Sequence, residues 1–329
     1  MNLIHLGEKI YIVILLLLGS MGNCFDGSRA CETAKVCSLP ANPSCSEELD
    51  YLLEEIEDYR LQQFPETAVA VWAESSCAGT LAYREDEVWP AASLVKTIIL
   101  LAAYIEFKNV WEEIPKELPA ILNSEVGFTD PLEMLSYDTR VQVRDILWGM
   151  TYSELASSMM GGNQDLIGNA AYNSACNILI FLLGGDGGGC TKNIRVIHPD
   201  FESIVIGRYM LETRTQENEN LSSMRSLTTA CRLLASNSVK GLSVLDHQTI
   251  SDCFQRYQFN DCDVYEKHGH LTSCPGVNGW IGWFEKEEGD ISMYAVMVLD
   301  FTGTSIGDEG ADYYKEMLMN RLYYLSNSP

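Results

Sequence analysis

Between residues 83 and 96 the chain reads Tyr83-Arg84-Glu85-Asp86-Glu87-Val88-Trp89-Pro90-Ala91-Ala92-Ser93-Leu94-Val95-Lys96, leaving a β-type run, crossing an acidic turn and entering a strongly helical segment, Ala91 to Phe107. Ser93 and Lys96 are three residues apart, so on a helix their hydroxyl and amine share one face. A lysine beside a serine, partly desolvated at a helix N-terminus, loses its proton readily and can act as base for the nucleophile. Backbone N–H groups at the same terminus favour a developing oxyanion. Ser-x-x-Lys also recurs by chance, usually as an N-cap serine with a solvated lysine. Its meaning therefore depends on what flanks it.

Upstream, Thr67 to Trp72 and Gly79 to Tyr83 are short β-type runs with a turn between them. Before them, Ser46 to Gln63 is an acidic helix with Leu49, Leu52, Leu53, Ile56 and Tyr59 near the 3.6-residue period. Downstream, residues 111–250 carry mostly helical patterns; Trp280 to Phe284 and Ile291 to Asp300 return to strand, and Asp312 to Leu325 is a closing helix. This order predicts an α+β (α/β) architecture, one antiparallel sheet flanked by helices and built from both chain ends, with an inserted all-α subdomain. The sheet part is expected at about 46–105 and 255–329 and the helical part at about 106–254, with the site in the cleft between them.

The 329 residues hold 22 Lys+Arg against 46 Asp+Glu, a formal charge of −24. Nucleic acid and anionic membrane are excluded as partners, because both need clustered cations. A small-molecule or peptide-like substrate remains, and 47% hydrophobic residues suffice for a real core. Residues 1–30 read as a secretory signal: Lys9, the apolar run Ile10 to Leu18, then small residues at Ser20, Gly22, Ser28 and Ala30. The run is too short to span a bilayer. Asn23 before Cys24 makes a poor lipoprotein signal. Export predicts several disulfides among Cys31, Cys37, Cys45, Cys77, Cys176, Cys190, Cys231, Cys253, Cys262 and Cys274, with Cys176 equally readable as a buried thiol in its apolar run. Residues 31–45 are too polar to build a core and are expected as a stapled extension before a domain spanning 46–329. Gly184 to Gly189 lacks the Lys-Ser/Thr of a phosphate loop and reads as a turn. Asn220-Leu221-Ser222 permits an N-glycan in a eukaryotic host.

The segment from Tyr83 to Lys96 resembles the strand-turn-helix entry of the penicillin-recognising serine enzymes, class A β-lactamases and their relatives in particular. Further matches follow in the family's order. Gly149-Met150-Thr151-Tyr152-Ser153-Glu154-Leu155 is similar to the opening of the helix before the second motif, and Asn173-Ser174-Ala175-Cys176-Asn177, running on to Gly184-Gly185, to the second motif itself. Lys267-His268-Gly269 is similar to the third, Lys-Thr-Gly. The resemblance covers roughly residues 46–325 and marks the chain as a divergent member.

It implies an exported serine hydrolase that forms an acyl-enzyme on Ser93, with Lys96 as general base and Asn173 and Lys267 orienting the substrate and tuning the lysine. It places the oxyanion between the backbone N–H groups of Ser93 and His270, with Tyr172, His268 and Gly269 lining the substrate site. No metal or cofactor is expected, and the chain should act as a monomer. His268 and His270 share a strand face at a spacing that metal sites use, but neither His198 nor His247 is close in sequence. The chain departs from the family where turnover is concerned. Ala171 stands where the second motif has its proton-relaying serine, with Tyr172 one residue out of register. No arginine lies between Lys267 and Glu285, leaving Lys267 and a protonated His268 to hold any anionic group. The loop from Ile206 to Leu211 lacks the family's deacylating glutamate; Glu202 and Glu212 flank it out of register, while Asn177 matches the asparagine that braces it. Weak or absent β-lactam turnover follows, with a D,D-peptidase or esterase-like enzyme, or a non-catalytic binding module, as alternatives.

Overall fold

The computed structural model describes residues 43–326 except 77, 127–129, 162–163, 216, 274, 287–289 and 303–305. The expected signal segment, the extension up to residue 42, and Cys24, Cys31, Cys37, Cys77 and Cys274 lie outside the described residues, as does the side chain of Cys45. The first helix, α1 (Pro43–Gln63), leads into the hairpin β1 (Thr67–Ser75) and β2 (Gly79–Tyr83). The chain returns at β5 (Gln255–Phe259), β6 (Cys262–Leu271), β7 (Gly276–Glu285) and β8 (Ile291–Asp300), and ends in α10 (Ile306–Ser326). These strands form one six-stranded sheet of order β2-β1-β8-β7-β6-β5. Every pairing in it is antiparallel. Both chain ends thus meet at the β1–β8 pair, as the element order predicts.

Period-two alternation divides the sheet between two cores. Val69, Val71 and Ala73 of β1 join Leu49, Leu52 and Ile56 of α1 and Tyr314, Leu318 and Leu322 of α10 on one face. Ala68, Ala70 and Trp72 join the helical layer on the other. At the centre of that layer is α2 (Lys96–Phe107), where residues from Lys96 to Tyr104 are all buried. A helix apolar on every side is stable only when wrapped, and the inserted segments supply the wrapping. They include α3 (Leu118–Leu122), α4 (Tyr137–Leu147), α5 (Tyr152–Met160), α6 (Gln164–Leu182), α7 (Cys190–Arg195), α8 (Met224–Ala235) and α9 (Val244–Ser251). A capping box of Thr151 and Glu154 starts α5, the helix whose opening the family resemblance placed here. No single helix among the described residues is long and apolar enough to cross a membrane.

A small ribbon went unread in the sequence. β3 (Val88–Pro90) pairs with β4 (Leu221–Ser223), joining residues on either side of the helical insertion. Three residues with no strong alternation give no strand signal; the ribbon exists because tertiary contacts hold both partners.

Five of the ten cysteines depart from the disulfide expectation, Cys176 in the way its apolar run also allowed. Cys176, Cys190, Cys231, Cys253 and Cys262 are all free and buried. Each packs as a small hydrophobe, and burial pushes the Cys176 thiol up to about 11 and the Cys253 thiol up to about 12. Even number and export context could not reveal this, since buried thiols and bridges read alike in sequence. Alkylation without reductant should modify these five cysteines only after denaturation. Recovery of their peptides as disulfides from the purified protein would contradict the free thiols.

Candidate active site

The turn carrying Ser93 is held from outside and strained within. Ala91 N–H donates to the Asn220 carbonyl at 2.9 Å, and Leu94 N–H to the Ala91 carbonyl at 3.0 Å. Ala92 has φ +48°, a left-handed conformation that costs a non-glycine residue free energy and persists where its surroundings enforce it. Ser93 follows in a single 3-10 turn, Ala92–Val95, with Lys96 opening α2.

Lys96 is fully buried, at 0% exposure. Its Nζ donates to Asn173 Oδ1 at 2.9 Å and lies 3.3 Å from the centroid of the Tyr172 ring. Asn173 in turn donates through Nδ2 to the Asn169 carbonyl at 3.0 Å and to Asn169 Oδ1 at 2.9 Å, which fixes its amide with the oxygen toward the lysine. Burial, reinforced by the charge of Lys267, holds the Lys96 amine below the ordinary lysine value, against opposing contributions from Tyr172 and Cys176.

Ala171, at the position of the family's relaying serine, lies in the apolar core. The side chain that reaches the site is Tyr172, with Lys96 Nζ 3.3 Å and Lys267 Nζ 5.3 Å from its ring centroid. Burial would push this phenol up, but Lys96 first and then Lys267 bring it down to about 7. The two groups are coupled, because an ammonium at Lys96 favours the phenolate and a neutral amine leaves the phenol.

β6 closes the other side. β5 pairs with it only from Cys262 to Glu266, so the segment from Lys267 to Leu271 is free of that partner and packs against the serine turn. Lys267 is buried beside Tyr172, its Nζ 5.3 Å from the ring centroid and bonded to the His268 carbonyl at 2.7 Å. Gly269 permits the close approach. A Cβ there would stand 2.8 Å from both the Leu94 nitrogen and Leu94 Cγ, and 3.1 Å from the Ser93 nitrogen. Two residues apart on this strand, Lys267 and Gly269 face the serine.

His268 points the other way. Its ring stacks on Trp280 at 4.2 Å and its Nε2 bonds Asn278 Oδ1 at 2.6 Å, while Trp280 is tied to Asp312 of α10. Burial first, then the charge of Lys267, holds its imidazole below the ordinary value despite the Asn278 bond, so it is neutral at pH 7 rather than the protonated anchor expected. Strand alternation causes the reversal: a residue beside Lys267 takes the opposite face. His270 shares that face, 6.2 Å from His268 ring to ring, and no group of three metal-ligating residues exists among the described residues. The structure thus gathers Ser93, Lys96, Tyr172, Asn173, Lys267 and Gly269 and leaves the His268 ring outside.

The loop after α7 presents a methionine where a water-positioning carboxylate was sought. Met210 N–H donates to Asn177 Oδ1 at 2.6 Å, and Asn177 Nδ2 donates to the Met210 carbonyl at 3.0 Å. Asn177 is one helical turn beyond Asn173, so Met210 is the loop residue clamped nearest the lysine. Glu212 instead accepts from the Tyr209 N–H at 3.1 Å within its own loop, and Glu202 is exposed. Sequence reading missed what anchors this loop. Arg208 and Glu219 form a buried ion pair at 3.2 Å, and Asn220 Oδ1 accepts from the N–H groups of Gly207 at 2.9 Å and Arg208 at 3.1 Å. Asn220, 1% exposed, is a bracket between loop and serine turn, which rules out the N-glycan that its sequon allowed. Buried arginine and glutamate in so acidic a chain give no sequence signal.

Neither a protein-family model nor a curated protein matches the sequence. Solved structures do. A class A β-lactamase from Mycobacterium abscessus is 18% identical, with a TM-score of 0.58 over 84% of this chain and 98% of that one. PBP-A is 20% identical, with a TM-score of 0.59 over 84% of this chain and 97% of that one. A point variant of PBP-A, solved as its acyl-enzyme complex with penicillin G, is 19% identical with a TM-score of 0.58 over 84% and 97%. At these identities the likeness establishes the fold: the chain has the β-lactamase architecture.

Gly269→Ala tests the geometry. A methyl group there overlaps backbone, so stability should fall by about 1–3 kcal/mol and the serine turn should shift. An unchanged Tm with an unchanged Ser93 environment would refute the tight contact.

Proposed function

We propose that this chain is an exported serine hydrolase that forms an acyl-enzyme on Ser93. The observation that carries the reading is the fully buried Lys96, its amine depressed by burial and held one turn from the serine by Asn173 and Tyr172. Ser93 Oγ attacks an amide or ester carbonyl while the neutral Lys96 amine takes its proton. The oxyanion is received by the backbone N–H groups of Ser93 and His270. As the tetrahedral adduct collapses, the bond to the leaving nitrogen or oxygen breaks. The Tyr172 hydroxyl, whose ring lies beside the amines of Lys96 and Lys267, delivers the proton to that atom and is restored from Lys96. Tyr172 so replaces the hydroxyl missing at Ala171, and Lys267 holds an anionic group on the leaving side.

Deacylation lacks a comparable device, since Met210 occupies the clamped loop position and its thioether cannot take a proton from water. This favours a D,D-peptidase-like or esterase-like enzyme with a persistent acyl intermediate over an efficient β-lactamase. The penicillin acyl-enzyme of the PBP-A variant is consistent with such an intermediate on this architecture.

Intact mass after incubation with a fluorophosphonate should show one adduct, mapped to Ser93, and Lys96→Ala should slow its formation by about 10² to 10⁴. Labelling that survives Ser93→Ala unchanged would remove the nucleophile, and a folded protein that never labels would favour the binding module. With a chromogenic cephalosporin a stoichiometric burst should precede a slow phase; sustained turnover at tens per second would overturn the persistent acyl-enzyme.

The acylation rate should rise with pH, because the active base is the deprotonated amine. Tyr172→Phe removes a group that raises the Lys96 pKa, so the rising limb should move to lower pH. The same change should slow an amide or β-lactam, whose nitrogen needs a proton to leave, far more than a p-nitrophenyl ester, whose phenolate does not. Equal losses on both substrates would refute the proton-delivery role.

A further inference from the structure

The sheet face behind the serine carries a second polar assembly. Glu266, His268 and His270 alternate with Lys267 and Gly269 along β6, so the three take the face opposite the serine turn. His268 is opposite Trp280 in the β6–β7 register; its ring stacks on the indole at 4.2 Å while Nε2 donates to Asn278 Oδ1 at 2.6 Å. The indole is braced from α10 in turn. Its Nε1 donates to Asp312 Oδ1 at 2.7 Å, and Lys315 Nζ lies 3.7 Å from its ring centroid. Lys315 is anchored by the buried Glu266 carboxylate at 2.7 Å, which also accepts from the Tyr294 hydroxyl at 2.7 Å and the Tyr257 hydroxyl at 3.1 Å. The His268 ring is thus tied, bond by bond, to the core under α10.

This clamp bears on the site through the His268 backbone. The Lys267 ammonium donates to the His268 carbonyl at 2.7 Å. The peptide carrying that carbonyl runs into Gly269, whose backbone is intrinsically the freest, and β5 pairs with β6 no further than Glu266. From Lys267 onward the strand is held by β7 and by its own side chains. Gly269 has none to offer, so the hold from behind comes from His268. Lys267 is bonded to a carbonyl rather than a carboxylate, which leaves its charge available to an anion beside the Tyr172 ring.

We infer that His268 is a positioning residue: anchored to Trp280 and Asn278 behind the sheet, it sets the carbonyl that aims the Lys267 ammonium at the leaving side of the Ser93 site, and so sets a preference for donors whose leaving group is negatively charged. The inference rests on the Ser93 acylation proposed above. His268 touches no reacting atom and acts through Lys267. A misaimed ammonium gives up a charge-assisted contact with an anionic leaving group, so loss of the clamp should be read in charge selectivity more than in acylation as such.

The test compares Ser93 acylation by p-nitrophenyl acetate and by the same ester with a carboxylate beside its nitro group, each corrected for its reactivity toward hydroxide. The parent should favour the anionic ester by about tenfold or more, the worth of one hydrogen bond to a charged group. His268→Ala should cut that preference to about twofold while slowing the neutral ester by less than about threefold. In a Lys267→Met background, where the preference is already lost, His268→Ala should change the ratio no further, the non-additivity of one residue acting through another. If His268→Ala melts early, His268→Phe keeps the bulk and the stack but frees Asn278, and should lower the preference by about threefold. The parent's ratio in the variant that folds, a further fall in the Lys267→Met background, or a parent acylated at Ser93 without charge preference overturns the positioning role alone. Failure of the parent to be acylated at Ser93 by either ester overturns the serine-hydrolase reading, and this inference with it.

Discussion

The arrangement depends on one buried amine. Removing a lysine ammonium from water costs several kcal/mol unless partners replace the solvent, and Lys96 has no exposure at all. Its partners are one carbonyl oxygen, that of Asn173, and the face of the Tyr172 ring. A neutral amine is comfortable with that set, whereas an ammonium is underserved. The charge of Lys267, 5.3 Å from the centroid of the same ring, tilts the balance further toward proton loss. The fold therefore stores reactivity as incomplete solvation, and the surrounding elements keep water from completing it.

That requirement explains why the site is assembled from segments distant in sequence. Lys96 must stand at the start of the most buried helix, yet Ser93 one turn earlier must face substrate. The strained Ala92 and the brackets to Asn220 turn the chain sharply enough to satisfy both. Gly269 lets a sheet strand come within contact distance of that turn, so its backbone can serve where a side chain would intrude. The two-faced sheet supplies rigidity from behind, with α1 and α10 filling one face and α2 the other.

Much of this was legible in sequence because the signals were local. The Ser93 and Lys96 pair, the β1–β2 hairpin and the strand Ile291–Asp300 are patterns of a few residues. Lys267 and Asn173 emerged from ordered motifs. What escaped depends on which face a side chain takes after packing. His268 is one residue from Lys267 and lies on the opposite side of the sheet, stacked on Trp280. Tyr172 seemed out of register with the relay position, but a long side chain can place its hydroxyl where a short one at Ala171 would have placed its own. The Asn220 bracket, the Arg208–Glu219 pair and the five buried thiols leave no periodic trace, since each is defined by how the chain packs after folding.

The loop from Ile206 to Asn220 separates the two halves of the chemistry. Its anchors are strong: Asn177 grips Met210 through both amide atoms, and Glu219 gathers Arg208 and Arg214. So much order around an apolar residue is hard to reconcile with a loop that has merely decayed. A buried ion pair carries a desolvation cost and is worth keeping chiefly where it specifies one conformation. The conformation specified here holds Met210, rather than a carboxylate, at the position gripped by Asn177. If Ser93 is acylated as proposed, a loop without a carboxylate at this position leaves the acyl group without a base to activate water there.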